Sequence, residues 1–357
     1  MISSHTHVGL ITLATCCLLP GGALADGWIK SPVNNHYYRL TDQNSNWTDA
    51  QIEAEACGGN LVTINDQPEN DWILATFGQQ SNRWIGFYQD LKDQENYSEP
   101  SGAWKWISGD QVTFTNWIST EPNDNGDEHW AQIKGKLSTW AGEWNDHSLI
   151  ETLRGVIEIV PGEGGWVDWP ITEGGNGHLY RLTDAPGTWP VSEFEAVSCG
   201  AHLATIRDAA ENQWVLETFG SSTNLWIGLY QDLDHPSYRE PAGGWFWING
   251  EPVPYINWIS GEPNDNGDEH WVQMKGQQST WAGQWNDHSL IEMLHGVIEV
   301  PGCPWDLDGS GDVGIEDFLS LLSLWGTDPG GPPDFDFDGT VGITDFLDLL
   351  ANWGPCA

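Results

Sequence analysis

The chain repeats itself at long range. Shifted by 142 residues, Tyr38-Arg39-Leu40-Thr41-Asp42 falls on Tyr180 to Asp184, and Trp84-Ile85-Gly86 falls on Trp226-Ile227-Gly228. Further on the shift is 141, so Trp144 meets Trp285 and the length change lies between Asp90 and Gly102, in a stretch that reads as a loop. A period this long exceeds any solenoid unit and fits two tandem globular domains. The 357-residue length points the same way.

Within each copy the pattern is helical early and strand-rich late. The segment from Ala50 to Cys57 is rich in Ala and Glu and favours helix. Asp66 with Glu69, and Asp208 with Glu211, have the spacing of a capping box, and Gly78 or Gly220 stands where such a helix would stop. Short aromatic and β-branched runs follow, at Trp84 to Tyr88, Trp104 to Ile107 and Gly155 to Val160. Two helices followed by short strands and long loops make an α+β layout. Most of the 24 tryptophans are expected inside these cores.

Glu121 to Trp130 reads EPNDNGDEHW, and the same ten letters return at Glu262 to Trp271, each copy followed by Trp-Asn-Asp at Trp144 or Trp285. The string alone is also an ordinary solvated turn, since Asn and Gly tolerate left-handed backbone. Its coupling to Trp-Asn-Asp at a constant offset, twice, favours a site. Carboxylates and carboxamides gathered this way suit a hard cation, above all calcium (Ca2+), which takes about six to eight oxygen ligands.

These motifs resemble the Glu-Pro-Asn and Trp-Asn-Asp signature of the C-type lectin domain, over Trp28 to Val160 and Trp166 to Val300. The resemblance implies a calcium site that binds sugar directly. Its ligands would be Glu121, Asn123, Glu128, Asn145 and Asp146, and in the second copy Glu262, Asn264, Glu269, Asn286 and Asp287. It also implies cis peptides at Glu121-Pro122 and Glu262-Pro263. In that family Glu-Pro-Asn accompanies mannose-type hydroxyls and Gln-Pro-Asp galactose, so glycans with mannose-type vicinal hydroxyls are the expected partners. An auxiliary calcium site would fall on Asp90, Glu99 and Asp124, and on Asp232, Glu240 and Asp265, although the insertion before Glu99 disturbs its spacing.

From Cys303 the composition changes, and no Lys or Arg remains. Asp306, Asp308, Ser310, Asp312 and Asp317, then Asp334, Asp336, Asp338, Thr340 and Asp345, occupy positions 1, 3, 5, 7 and 12 of two calcium loops. Gly311 and Gly339 hold position 6, where the turn demands glycine. Each loop leads into an apolar helix, at Phe318 to Trp325 and Phe346 to Trp353. The pair resembles a dockerin module, which implies a small all-α unit and a cohesin-type partner. Ile315-Glu316 and Ile343-Thr344 stand where that family commonly shows polar partner-reading residues, so a cap without a partner is the other reading.

The expected division is therefore a signal peptide over 1–25, lectin-like domains over 26–162 and 163–301, and the calcium module over 302–357. The signal rests on the apolar stretch Val8 to Leu19 followed by Ala23-Leu24-Ala25, an A-x-A cleavage pattern. Leu13 to Cys16 loosely resembles a lipoprotein box, which leaves a lipid anchor as the alternative. No other stretch is apolar for long enough to span a membrane. With 52 acidic against 12 basic residues the net charge is −40, which disfavours nucleic acid and anionic lipid as partners.

No HExxH, G-x-S-x-G or phosphate loop is present, and His129, His147, His270 and His288 read as polar-loop neighbours of the cation residues rather than as bases. The reading is a secreted calcium-dependent lectin without enzymatic activity. The alternative is an extracellular adhesion or scaffold protein whose domains hold calcium for structure and bind protein.

Cys303 and Cys356 bracket the C-terminal module and are expected to pair. Cys57 and Cys199 match one half of the lectin family's long disulfide, but Ile157 and Ile298 fill the partner positions, and Trp130 with Leu149, or Trp271 with Leu290, replaces the shorter one. The expectation is two buried free thiols in two separate cores.

Overall fold

The computed structural model describes residues 27–79, 81–171, 174–303, 305–307, 312–327, 333–335 and 340–355. The proposed signal peptide lies outside them. Both repeats follow one plan. The first runs β1 (Ile29–Lys30), β2 (Tyr37–Leu40), α1 (Trp47–Ala56), β3 (Asn60–Leu61), α2 (Gln67–Phe77), β4 (Arg83–Gln89), β5 (Trp104–Trp106), β6 (Trp130–Ile133), β7 (Trp144–His147) and β8 (Val156–Ile159). The second runs β9 (Val167–Asp168), β10 (Leu179–Leu182), α3 (Trp189–Ser198), β11 (His202–Leu203), α4 (Ala209–Phe219), β12 (Leu225–Gln231), β13 (Trp245–Trp247), β14 (Trp271–Met274), β15 (Trp285–His288) and β16 (His295–Val300). The expected α+β layout is present in both.

Asp66 starts α2 by accepting from the Glu69 amide at 2.9 Å, and Asp208 does the same for Glu211 at 2.8 Å. The box is half closed: the Glu69 carboxylate reaches past Asp66 to the Asn65 amide and the Tyr38 hydroxyl, so it serves the core. In the first repeat the strands form two sheets, ordered β1-β2-β8-β3 and β5-β4-β6-β7. In the second, β16 is longer and pairs in parallel with β12, which merges the two sheets into one. Gly86 lies where the β3 backbone passes, and a Cβ there would sit 2.3 Å from the Leu61 carbonyl oxygen. Behind the β6–β7 hairpin, Trp106 and Trp144 pack with Val62, Ile85 and Phe87 in one buried cluster, and Trp247 and Trp285 repeat the arrangement.

The two cores are not separate, which corrects the sequence reading. Trp28, Tyr37, Ala54, Cys57, Ile157 and Ile159 pack directly on Trp166, Leu179, Ala196, Cys199, Ile298 and Val300. At the centre, Cys57 is bonded to Cys199 across 5.3 Å between Cα atoms, so neither is a free thiol. The contacts are reciprocal. The Trp28 indole N–H donates to the Cys199 carbonyl at 2.7 Å, and that of Trp166 to the Cys57 carbonyl at 2.7 Å. Arg39 lies over the Trp28 ring and donates to the Ser198 carbonyl, while Arg181 lies over Trp166 and donates to the Ala56 carbonyl. The physical reason is in the replaced disulfide: with Ile157 and Ile298 in the partner positions, each cysteine is left on an apolar face without a mate in its own repeat. An unpaired half-cystine on such a face is satisfied by its equivalent across the interface.

The C-terminal region adds β17 (Asp312–Val313), α5 (Ile315–Ser323), α6 (Ile343–Ala351) and β18 (Gly354–Pro355). β17 pairs with β18, so this part is two helices tied by a short strand pair rather than purely helical. Cys303 is disulfide-bonded, and its expected partner Cys356 lies outside the described residues. Asp306 lines a cavity of about 400 Å³ together with Lys30 and His36 of the first repeat and Asp168 and Gly177 of the second.

Candidate functional site

The residues singled out in the sequence converge at one end of each β6–β7 hairpin. Trp130 pairs with His147 and Ala131 with Asp146, so the loop that enters β6 lies beside the residues at the end of β7. Glu121-Pro122 and Glu262-Pro263 are both cis, as the resemblance implied; Glu99-Pro100 and Glu240-Pro241 are cis as well, which the sequence reading did not foresee.

Asp146 is the pivot of the arrangement and is fully buried. Its Oδ2 accepts from the backbone amides of Asn123 at 3.0 Å and Asp124 at 2.9 Å, which pins the Glu-Pro-Asn loop to β7. Its Oδ1 is buried without a hydrogen-bond partner, and so is Oε2 of Glu121. The Asn125 amide donates to Oδ1 of Asn123 at 2.7 Å and to Oε2 of Glu128 at 3.1 Å, so those two side chains share one donor. Glu128 is thereby held in the same group as Asn123. Asn145 donates its amide to the Asp146 carbonyl.

The second repeat reproduces this. Oδ2 of Asp287 accepts from the amides of Asn264 and Asp265, each at 2.9 Å, and its Oδ1 is again buried and unpartnered. Asn266 bridges Asn264 and Glu269, Asn264 donates to Glu262, and Asn286 donates to the Asp287 carbonyl. Burial, followed by the neighbouring Asp146 and Glu128 carboxylates, holds Glu121 above the usual carboxylate range. Burial and Asp146 do the same to Glu128, and Glu262 and Glu269 follow suit with Asp287. Buried carboxylate oxygens without donors, crowded by like charge, are the environment that a cation relieves. The residues present fit calcium.

The auxiliary cluster takes a different membership from the one expected. Glu99 and Asp124 come together with His129, and Glu240 and Asp265 with His270, each set within 4.8 Å. Asp90 turns away to Lys105 at 3.1 Å. His129 is buried, with Nδ1 on Gln89 at 2.8 Å and Nε2 on Asp127 at 2.9 Å, so it is a hydrogen-bonded, built part of the loop.

In the C-terminal loops, Asp306, Asp317, Asp334 and Asp345 are buried and Thr340 is exposed. Asp317 accepts from the amides of Leu307 and Gly314, and Asp345 from those of Phe335 and Gly342, so each closing aspartate ties its loop shut. Asp308, Ser310, Asp336, Asp338 and the Asp312 side chain lie outside the described residues.

A mixed helix and strand unit that ends in a carboxylate-lined loop, present twice in one chain, defines a tandem lectin-type architecture. The chain belongs to the C-type lectin family: the Lectin C-type domain matches residues 43–150 and again 188–292, together more than half of the chain. It is 26% identical over 292 residues to C-type mannose receptor 2 of Mus musculus, covering 77% of this chain but 18% of the receptor. It is 27% identical over 150 residues to a perlucin-like protein of Mytilus galloprovincialis, 40% of this chain and 90% of that one. The mouse scavenger receptor C-type lectin carbohydrate-recognition domain aligns at 25% identity with a TM-score of 0.31, over 37% of this chain and 94% of that structure. Among the described residues no helix is long and apolar enough to cross a membrane.

Proposed function

We propose that each lectin domain is a calcium-dependent sugar site of mannose-type preference. The residues that would hold the ion are Glu121, Asn123, Glu128, Asn145 and Asp146, with Glu262, Asn264, Glu269, Asn286 and Asp287 in the second domain. The observation that carries this reading is the buried, unpartnered Oδ1 of Asp146 and of Asp287, each beside further carboxylates. Calcium, when bound, would neutralise these carboxylates and offer open positions to two vicinal hydroxyls. The protein's own part is orientation. Asp146 and Asp287 hold the Glu-Pro-Asn loops through paired amide bonds, and the Glu carboxylates accept from sugar hydroxyls while the Asn amides also donate. That direction of hydrogen bonding favours mannose-type over galactose-type diols, because a mismatched buried pair costs about 1 to 3 kcal/mol.

The proposal extends to calcium in the two C-terminal loops, to secretion, and to a cohesin-type partner for the C-terminal module. In support, α5 and α6 expose apolar side chains at equivalent places, Ile315 and Ile343, Leu319 and Leu347, Leu322 and Leu350.

Replacing Asp146→Asn together with Asp287→Asn tests the central claim. Calorimetric calcium titration should lose two sites, and retention on immobilised mannose should fall to the level seen with chelator. Wild-type protein that binds calcium in both domains yet ignores mannose-type sugars at millimolar concentration would sink the sugar reading and leave calcium with a structural role.

A further inference from the structure

Immediately after each cation strand the chain displays two apolar side chains to solvent. Leu149 is 37% and Ile150 90% exposed, and their counterparts Leu290 and Ile291 are 36% and 83% exposed. Some exposed apolar positions differ between the repeats, Leu137 (80% exposed) being matched by Gln278 and Met293 (58%) by Thr152, whereas Leu91 with Leu233 and Trp140 with Trp281 are exposed in both. The Leu-Ile pair has not drifted.

Its placement is built. Because Trp130 pairs with His147, the Ser148 to Glu151 turn leaves the hairpin at the end where Glu128 enters it. The His129 amide donates to the His147 carbonyl at 3.2 Å, which joins the two segments. The turn is then braced from within: the Ser148 amide donates to Nδ1 of His147, and Nε2 of His147 lies 3.7 Å from the Glu151 carboxylate. In the second repeat Nε2 of His288 lies 3.6 Å from Glu292. The apolar pair thus stands on a held turn three to four residues past Asp146 or Asp287.

Resting on the sugar-site reading above, we infer that Leu149-Ile150 and Leu290-Ile291 form an apolar ledge beside each sugar site that selects glycans carrying a methyl-bearing substituent on the bound ring. Two side chains are far too little surface for a stable protein interface, which needs about 800 Å² per partner. They match one methyl or acetyl group, whose burial is worth about fourfold in affinity. An unsubstituted hydroxymethyl or hydroxyl at the same place would lose hydration against the ledge and gain little.

Glucose, quinovose (its deoxy-methyl counterpart) and N-acetylglucosamine share one pair of vicinal equatorial hydroxyls and differ in the methyl group, so they separate the ledge from the cation. In saturating calcium the wild-type chain should bind quinovose, N-acetylglucosamine or both about threefold to fivefold more tightly than glucose. Preference confined to quinovose places the methyl at the deoxy carbon, and preference confined to N-acetylglucosamine places it on the acetyl group. In the variant L149S/I150S/L290S/I291S these ratios should fall to about one, while calcium affinity and glucose affinity stay at wild-type values. The I150L/I291L variant should keep the ratios. Ratios that survive the serine substitutions overturn the ledge and leave the sugar site intact. A wild-type chain that binds none of the three sugars with calcium present overturns both.

Discussion

The two repeats agree almost atom for atom at the Glu-Pro-Asn loop and differ behind it. In the first, Glu69 and Glu158 share the Tyr38 hydroxyl, at 2.8 and 2.9 Å, and His36 lies 2.7 Å from Glu158. In the second, the equivalent Tyr180, Glu211, Glu299 and His178 are joined by Arg207, which forks onto Glu251 with two bonds of 2.7 Å and reaches Glu299 at 3.5 Å. Asn65 stands at that position in the first repeat. The Glu-Pro-Asn loops have been held constant while the polar core behind them was rewired. The surface chemistry of a site and the electrostatics of its scaffold can therefore vary separately.

The heaviest blow to this comparison would come at what the repeats share. The C57S/C199S variant opens a crosslink spanning 142 residues of chain, which the chain-entropy model values at about 4 to 5 kcal/mol. Both repeats should lose stability together, as one lowered calorimetric transition, because the Trp28 and Trp166 indoles tie each repeat to the other. Two transitions, with one at the wild-type temperature, would show that the common core does not couple them. The wild-type chain should yield no titratable thiol from Cys57 or Cys199 before reduction.

Arg207→Asn gives the second repeat the residue of the first. It strips a partly buried guanidinium from Glu251 and from the buried Glu299, and leaving a buried carboxylate without its partner costs about 1 to 3 kcal/mol. Denaturant unfolding should register that loss, and the imidazole of His178 should change character. At present burial and then Arg207 depress its proton affinity, whereas that of His36 is raised because Glu158, Glu69 and Glu163 outweigh its burial. An NMR titration in which His178 fails to move upward in the variant would remove Arg207 as the cause of the difference.

The smallest effect is in pH dependence. Burial, with Glu158 adding, pushes Glu69 up to about 7 from 4.5. A carboxyl raised on folding contributes stability that is complete below its ordinary range and is lost as pH rises through the folded value. The raised His36 has the same sign, so between pH 5 and 8 both groups weaken the first repeat as pH climbs. Glu211, pushed up to about 8 mainly by burial, acts likewise in the second repeat, but the depressed His178 acts in reverse and is a penalty as pH falls. Amide exchange protection at Tyr38 and Leu40 should therefore fall more steeply with pH than at Tyr180 and Leu182, after correction for intrinsic rates. Equal slopes would mean that the rewiring has no effect on proton linkage.

The convergence of the Glu-Pro-Asn and Trp-Asn-Asp segments was legible from the sequence because their residues come in two short strings at a fixed offset, and each string occurs twice. The fold class followed from local patterns that each repeat states once and the chain therefore twice. The joint between the repeats was hidden because Trp28, Cys57, Ile157 and Arg39 each look like ordinary core or surface residues, and only their reciprocity in space gives them meaning. One signal was present: a single cysteine in each repeat without a mate. His129 was legible as a neighbour of the loop, but not its hydrogen bond to Gln89, which lies some forty residues earlier in the chain.

The crosslink between equivalent cysteines has a consequence for valency. A disulfide that joins a residue to its own repeat lies on the local twofold, so the interface is isologous although one chain makes both halves. The linker backs this up: Gly164 adopts φ +56° and packs so closely that a Cβ would lie 1.7 Å from the Gly58 carbonyl oxygen. Two sugar sites of the kind proposed, fixed to such a frame, would behave as a caliper rather than as beads on a string. Their span is set by packing instead of by a tether, so avidity should peak sharply for arrays whose repeat matches the opening and vanish for those that do not.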